Sequence, residues 1–172
     1  MEHGYVHIYT GNGKGKTTAA LGLAMRAAGA GLRVFIGQFA KGQGCSELRS
    51  FARLSDRIVI RQFGLPEFIR GQPAGADKRM AEDGLREACD AMLGGRFGMV
   101  ILDEASIAVL LGLISLDSLL AVVEARPAPV ELIITGQGAH PRLIERADLV
   151  TDMREIRHYF HRGVMARAGI EM

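Results

Sequence analysis

Disulfide stapling, zinc binding and membrane insertion are all poorly supplied for in this chain of 172 residues. Its two cysteines, Cys45 and Cys89, lie far apart and lack the paired spacing of zinc sites or redox motifs, so both are expected as free thiols. Cys89 falls on the apolar side of an expected helix, where a free thiol serves as a small buried hydrophobe. No run of about 18 apolar residues is free of charge, which argues against a membrane-spanning helix. The opening Met1-Glu2-His3-Gly4 has neither the basic nor the apolar region of a secretory signal, so a cytoplasmic location is expected. Charge of one sign is scarce as well: 21 Lys and Arg against 19 Asp and Glu leave a formal +2. The arginines of the last quarter, Arg142, Arg146, Arg154, Arg157, Arg162 and Arg167, are interleaved with Glu145, Asp148, Asp152 and Glu155. Mixed signs of this kind make a solvated, ion-paired face, so neither a nucleic-acid nor a membrane partner is expected. Aromatic residues amount to 6% and tryptophan is missing. His140, His158 and His161 have no metal-ligand spacing with cysteine or carboxylate partners.

The remaining composition, 48% hydrophobic and 23% charged, is that of one soluble domain spanning residues 1–172. Strand-like and helix-like runs alternate from end to end, the order of an α/β fold with a mostly parallel sheet and helices on both faces. Strands are expected at 5–9, 33–38, 57–62, 97–102, 130–135 and 149–153. Helices are expected at 16–28, 46–54, from Asp77 as cap to about 93, at 105–111, at 116–124 and from Pro141. The first helix is apolar almost all round apart from Arg26, a pattern that predicts burial under the sheet. Residues 63–75 show neither period and are rich in glycine, proline and phenylalanine, which marks a binding loop or lid.

Between the first strand and first helix stands T-G-N-G-K-G-K-T-T, Thr10 to Thr18. The run Thr10, Gly11, Asn12, Gly13, Lys14, Gly15, Lys16, Thr17, Thr18 reads as a phosphate cradle for ATP. Glycines let successive N–H groups point inward, Lys16 brings a mobile positive charge, Thr17 offers a hydroxyl to Mg²⁺ (or Mn²⁺), and a helix N-terminus follows. The usual pattern is G-x-x-x-x-G-K-[ST], whereas Thr10 holds the first position here, so Gly11 must take the sharp turn.

Bound ATP needs a metal, and the metal needs oxygen ligands. Asp103 and Glu104, at the end of an apolar strand, supply carboxylates at the edge where open α/β sheets bind ligands. One can hold the metal while the other orients water or a partner side chain. The same edge should receive Gln38, Lys41 and Thr135 as candidates to meet substrate or nucleotide, with Phe63 and Phe68 as a candidate apolar platform for a flat ligand. These residues alone permit phosphoryl transfer by a small-molecule kinase or ATPase, or a non-catalytic nucleotide sensor.

In this order the segments closely resemble the P-loop type of ATP:corrinoid adenosyltransferase, over nearly the whole chain. The resemblance is carried by T-G-N-G-K-G-K-T-T-A-A (10–20), Gly37-Gln38-Phe39 with Lys41-Gly42, V-I-L-D-E (100–104), E-L-I-I-T-G (131–136), A-D-L-V-T-D-M-R-E-I-R-H-Y-F (147–160) and the closing G-V-M-A-R-A-G-I-E. It implies a P-loop NTPase-like (RecA-like) fold and a reaction in which the Co(I) of a reduced corrinoid attacks the 5′ carbon of ATP. Intact triphosphate leaves, and no protein general base is needed. Lys16, the loop N–H groups and Mg²⁺ would stabilise the departing charge, with Lys16 and Glu104 as the catalytic pair. The resemblance further implies ATP reversed along the loop, Thr17 and Glu104 as main metal contacts, Asn12 near the sugar, residues 63–69 over the corrinoid, a reductant or flavoprotein supplying Co(I), and a homodimer. This chain departs from relatives in three places. It reads F-G-L-P-E-F-I where several carry Phe-Thr-Trp, it has Gln137 where arginine is common, and it opens directly on the first strand where some have a helix.

Overall fold

The computed structural model describes residues 2–42, 45–64 and 73–171. Six strands, β1 (Val6–Thr10), β2 (Val34–Phe39), β3 (Ile58–Phe63), β4 (Met99–Asp103), β5 (Glu131–Thr135) and β6 (Leu149–Asp152), form one sheet in the order β3-β2-β4-β5-β1-β6. Every pairing is parallel. Around it lie α1 (Lys16–Gly29), α2 (Ser46–Phe51), α3 (Gly75–Leu93), α4 (Ala105–Leu110), α5 (Leu116–Glu124) and α6 (Pro141–Ile144). The α/β class and the helices on both faces agree with the sequence pattern, and the strand limits differ from the expected ones by one or two residues.

Continuous apolar runs become central strands because both of their faces are covered. All six residues of β2 and all five of β4 are buried, whereas all four of β6, at the sheet edge, are exposed. On one face, Phe35, Phe39, Val100, Leu102, Leu132 and Ile134 pack with α3, α4 and α5. On the other, Val34, Ile36, Met99, Ile101 and Ile133 meet α1 and Phe51 of α2. Each fully buried Ile or Leu contributes about 1.5–3 kcal/mol, so the two layers lock the strand register that positions the polar ends.

Four local expectations are corrected. Helix α1 is not buried all round: Ala20, Ala24 and Ala27 face the sheet, while Met25 is 49% exposed. Small alanines bring the helix close to the strands, Leu21 and Leu23 pack at its flanks against the same core, and Met25 is left for the outer side. Asp77 is not the cap of α3 but lies in its first turn, its carboxylate accepting from the Ala74 N–H at 2.9 Å. The 46–54 helix is α2 followed by a 3-10 turn, Ala52–Leu54. Phe63 does not open the loop; it ends β3, and its ring packs against Phe39 in the core, 8% exposed. Gly84 of α3 makes room for that ring, since a Cβ there would stand 2.2 Å from Phe63 Cγ. Phe68, with most of the expected 63–75 loop, lies outside the described residues.

Candidate functional site

Parallel strands send their C-terminal ends to one edge, and there the register lines up a polar row. Gln38 of β2 pairs with Asp103 of β4, and Thr135 of β5 lies beside them. All three are fully buried. Asp103 satisfies its whole acceptor capacity: Oδ1 accepts from Thr17 Oγ1 at 2.8 Å and Thr135 Oγ1 at 2.7 Å, and Oδ2 from Lys41 Nζ at 2.8 Å and Gln38 Nε2 at 3.1 Å. A buried carboxylate is tolerable only when paired and hydrogen-bonded in this way. It holds Thr17 with the hydroxyl proton turned inward, which leaves that oxygen's lone pairs for another partner. Burial by itself would lower the Lys41 pKa, but the adjoining Asp103 charge and hydrogen bond outweigh it and raise it.

Glu104 is built differently. Its backbone is left-handed, φ 60°, a conformation that costs a non-glycine residue about 1–2 kcal/mol. The turn is held by its N–H donating to Thr135 Oγ1 at 2.9 Å, the hydroxyl that also donates to Asp103. Among the described residues its carboxylate receives no hydrogen bond. Burial, and next the charge of Asp103, push its pKa up, against the opposing pull of Lys41 and Lys16.

The glycine loop joins β1 to α1. Gly11 and Gly15 take φ values of +96° and +125°, the region glycine favours. A Cβ on Gly11 would lie 2.4 Å from Asp152 Oδ1 and from the Met153 carbonyl, so the loop is pressed against the segment after β6. Gly13 N–H donates to Met153 O at 2.7 Å, and Asn12 Oδ1 accepts from the Glu155 N–H at 3.0 Å. Thr10 turns its hydroxyl to the Ala139 N–H at 3.2 Å. Lys16 folds back, its Nζ donating to the Gly11 and Gly13 carbonyls at 2.8 and 2.7 Å. Helix α1 starts without a side-chain cap or an acidic residue in its first turn. Its unpaired N–H groups and dipole therefore favour an anion at that end.

Beside the loop opens a cleft of about 840 Å³, within the range of ligand sites. Residues 13–18, Lys41 and Glu104 line it, together with Leu21, Gly22 and Met25 from the outer side of α1.

A sequence model of the family described as ATP:corrinoid adenosyltransferase BtuR/CobO/CobP matches residues 2–172. The chain belongs to this family. A corrinoid adenosyltransferase of Pseudomonas aeruginosa is 36% identical, with 99% of this chain and 84% of the relative covered. Corrinoid adenosyltransferase CobA of Salmonella typhimurium is 34% identical over 99% of this chain and 86% of its own length. In fold, the chain is similar to the crystal structure of a KaiC-like protein from Pyrococcus horikoshii, at TM-score 0.58 and 17% identity, covering 87% of this chain and 72% of that one. That likeness concerns architecture only, and it agrees with the expected P-loop fold.

For an ATP:corrinoid adenosyltransferase, the chemistry is transfer of the adenosyl group of ATP to a corrinoid in cobalamin biosynthesis. Of the residues named from sequence, Gly13, Lys14, Gly15, Lys16, Thr17, Thr18, Lys41 and Glu104 line the cleft. Asp103, Gln38 and Thr135 lie behind it as the buried row. Thr10, Gly11 and Asn12 form the back of the loop, and Phe63 lies in the core. Gln137 is exposed and does not line the cleft. The cleft is also lined by the outer side of α1, Glu47 and Ser50 of α2, His158 and residues 169–171, none of which a sequence motif marks as part of a site. The apolar wrap of α1 was a usable signal, because a helix with one face on the sheet and apolar residues left over must cover something else. For residues 169–171 only the fold brings them to the loop.

Proposed function

We propose that residues 1–172 act as one catalytic unit, in which Lys16, the loop N–H groups and the start of α1 grip the polyphosphate of ATP and direct the attack of a Co(I) corrinoid to the ribose 5′ carbon. The observation that supports these roles is the division of labour between two adjacent carboxylates. Asp103 is spent on holding Thr17 and Lys41 in place, and Glu104, unpaired among the described residues, lines the cleft.

The donors present suit Mg²⁺ or Mn²⁺. Among the described residues no three His, Cys, Asp or Glu side chains converge as a cage, and such cations need only one or two protein oxygens plus phosphates and water. Thr17 and Glu104 would hold the ion, with Asp103 fixing the Thr17 hydroxyl from behind. Bound there, the cation would neutralise charge on the departing triphosphate. Lys16 leaves the Gly11 and Gly13 carbonyls for phosphate oxygens, and Lys41, anchored on Asp103, keeps a second positive charge at the same end. The cobalt is the nucleophile, so the protein's task is alignment and charge stabilisation, with no proton to abstract.

Thr10 in place of the first glycine fits a cradle holding ATP reversed, with Asn12 toward the sugar. Residues 64–69, including Phe68, are the proposed cover for the corrinoid. A cytoplasmic homodimer served by a reductant or flavoprotein completes the reading. Incubation with ATP, Mg²⁺ and a chemically reduced corrinoid tests it: inorganic triphosphate and a cobalt–carbon bond are expected in equal amounts. Release of ADP without adenosylated corrinoid would replace it with phosphoryl transfer.

A further inference from the structure

Three carboxylates, Glu47, Glu104 and Glu171, are among the groups lining the cleft that takes a polyphosphate, and Glu171 lies next to one of the loop's own lysines. Lys14 Nζ donates to the Ile170 carbonyl at 2.8 Å and lies 3.9 Å from Glu171 Oε1. Glu171 is in turn gripped by Arg167, whose backbone N–H donates to Oε2 at 2.8 Å, and by the Tyr159 hydroxyl. Arg167 also stacks over the Tyr159 ring, 4.9 Å from its centre. The carboxylate is therefore held at the loop by its own scaffold, with its side chain 17% exposed against 38% for Lys14.

We infer that Glu171 is a positioning residue that competes with the polyphosphate for Lys14: it yields the ammonium when ATP enters and reclaims it as triphosphate departs. The physical need is clear from the charges. Three lysines, Lys14, Lys16 and Lys41, and a helix N-terminus attract a triphosphate to a cleft also lined by Glu47, Glu104 and Glu171, and of these carboxylates Glu171 is the one paired with a loop lysine, so it opposes the hold on the product. An internal anion weakens the product complex without touching the reacting carbon. Glycines flank the segment's last turns, Gly163 at φ +80° and Gly169 at φ +77°, so the backbone there can reorient around the ammonium.

The inference rests on the adenosyl-transfer reading for its leaving group, but its test uses sodium triphosphate alone, so a failed transfer assay would not affect it. Titration calorimetry of Glu171→Gln should show triphosphate bound about five-fold more tightly than by the unaltered protein, the scale of a partly exposed ion pair. Glu171→Asp should restore most of the original affinity. In a Lys14→Met background the effect of Glu171→Gln should vanish, because nothing is left to compete for. As a check that needs no variant, amide exchange in residues 167–171 of the unaltered protein should quicken when triphosphate binds. Unchanged or weaker binding by Glu171→Gln, persistence of its effect without Lys14, or slower exchange on binding would each overturn the inference. The last would mean that the segment closes over the ligand.

Discussion

The Thr17 hydroxyl donates to the fully buried Asp103 carboxylate across 2.8 Å, joining the first turn of α1 to the end of β4. This bond connects residues 86 positions apart and decides which way the Thr17 oxygen faces. Replacing Asp103 by Asn puts an amide in a site built of four donors, so two of them lose their acceptor. Asp103→Asn is expected to lower unfolding free energy by about 3 kcal/mol, measured by urea denaturation, and to reduce transfer at saturating Mg²⁺. Full stability would show that the buried row does not depend on the charge.

Glu104 illustrates the opposite trade. Burial and the charge of Asp103 raise its pKa, so ionisation of this group favours unfolding. The sign follows: its penalty is absent while both states are protonated, sets in as pH rises through the ordinary carboxylate range, and is complete above the raised folded value. Glu104→Gln should therefore stabilise the ligand-free protein at neutral pH, by about 0.5–2 kcal/mol as is common for functional sites. It should also weaken Mn²⁺ binding in the presence of ATP, followed by electron paramagnetic resonance. Loss of stability with metal affinity intact would contradict both roles.

Among the described residues Lys16 donates only to loop carbonyls, which water can satisfy in its place. Lys16→Met should leave the thermal midpoint within a few degrees while ATP affinity drops about 10- to 100-fold, the scale of losing charged hydrogen bonds. Calorimetry and a melting curve on the same preparation separate the two effects.

Gly84 tests whether Phe63 belongs to the core. An added methyl would meet the Phe63 ring at 2.2 Å, and an overpacked core of this kind costs about 1–3 kcal/mol. Gly84→Ala is expected to shift the denaturation midpoint accordingly. A neutral substitution would show that the ring can leave its place and face outward.

The Arg167 and Tyr159 hydrogen bonds hold the Glu171 carboxyl well below its ordinary range, at about 2. A depressed acid pKa means that the anchoring is fully present above about pH 4.5, the ordinary value, and is lost as pH falls through about 2. Titration of this carboxyl by nuclear magnetic resonance should find its midpoint near 2; a midpoint near 4 would mean that the contacts do not form in solution.

The alternation of strands and helices, the loop from Thr10 to Thr18 and the carboxylate pair at 103–104 are legible in the order of residues, because each is a local matter of periodicity, turn chemistry or adjacency. A continuous apolar run such as 99–102 reads as a doubly covered strand wherever its neighbours turn out to lie. That Asp103 serves four donors while Glu104 has no hydrogen-bond partner among the described residues follows from packing alone, since the difference depends on the parallel register that sets Gln38 and Thr135 beside one carboxylate. The same holds for Phe63, whose place depends on a gap above Gly84, and for Glu171, which meets Lys14 across 157 positions of chain only because β6 lies against β1. Such contacts have no signature in a sequence, for they arise from packing between segments whose own patterns carry no record of each other.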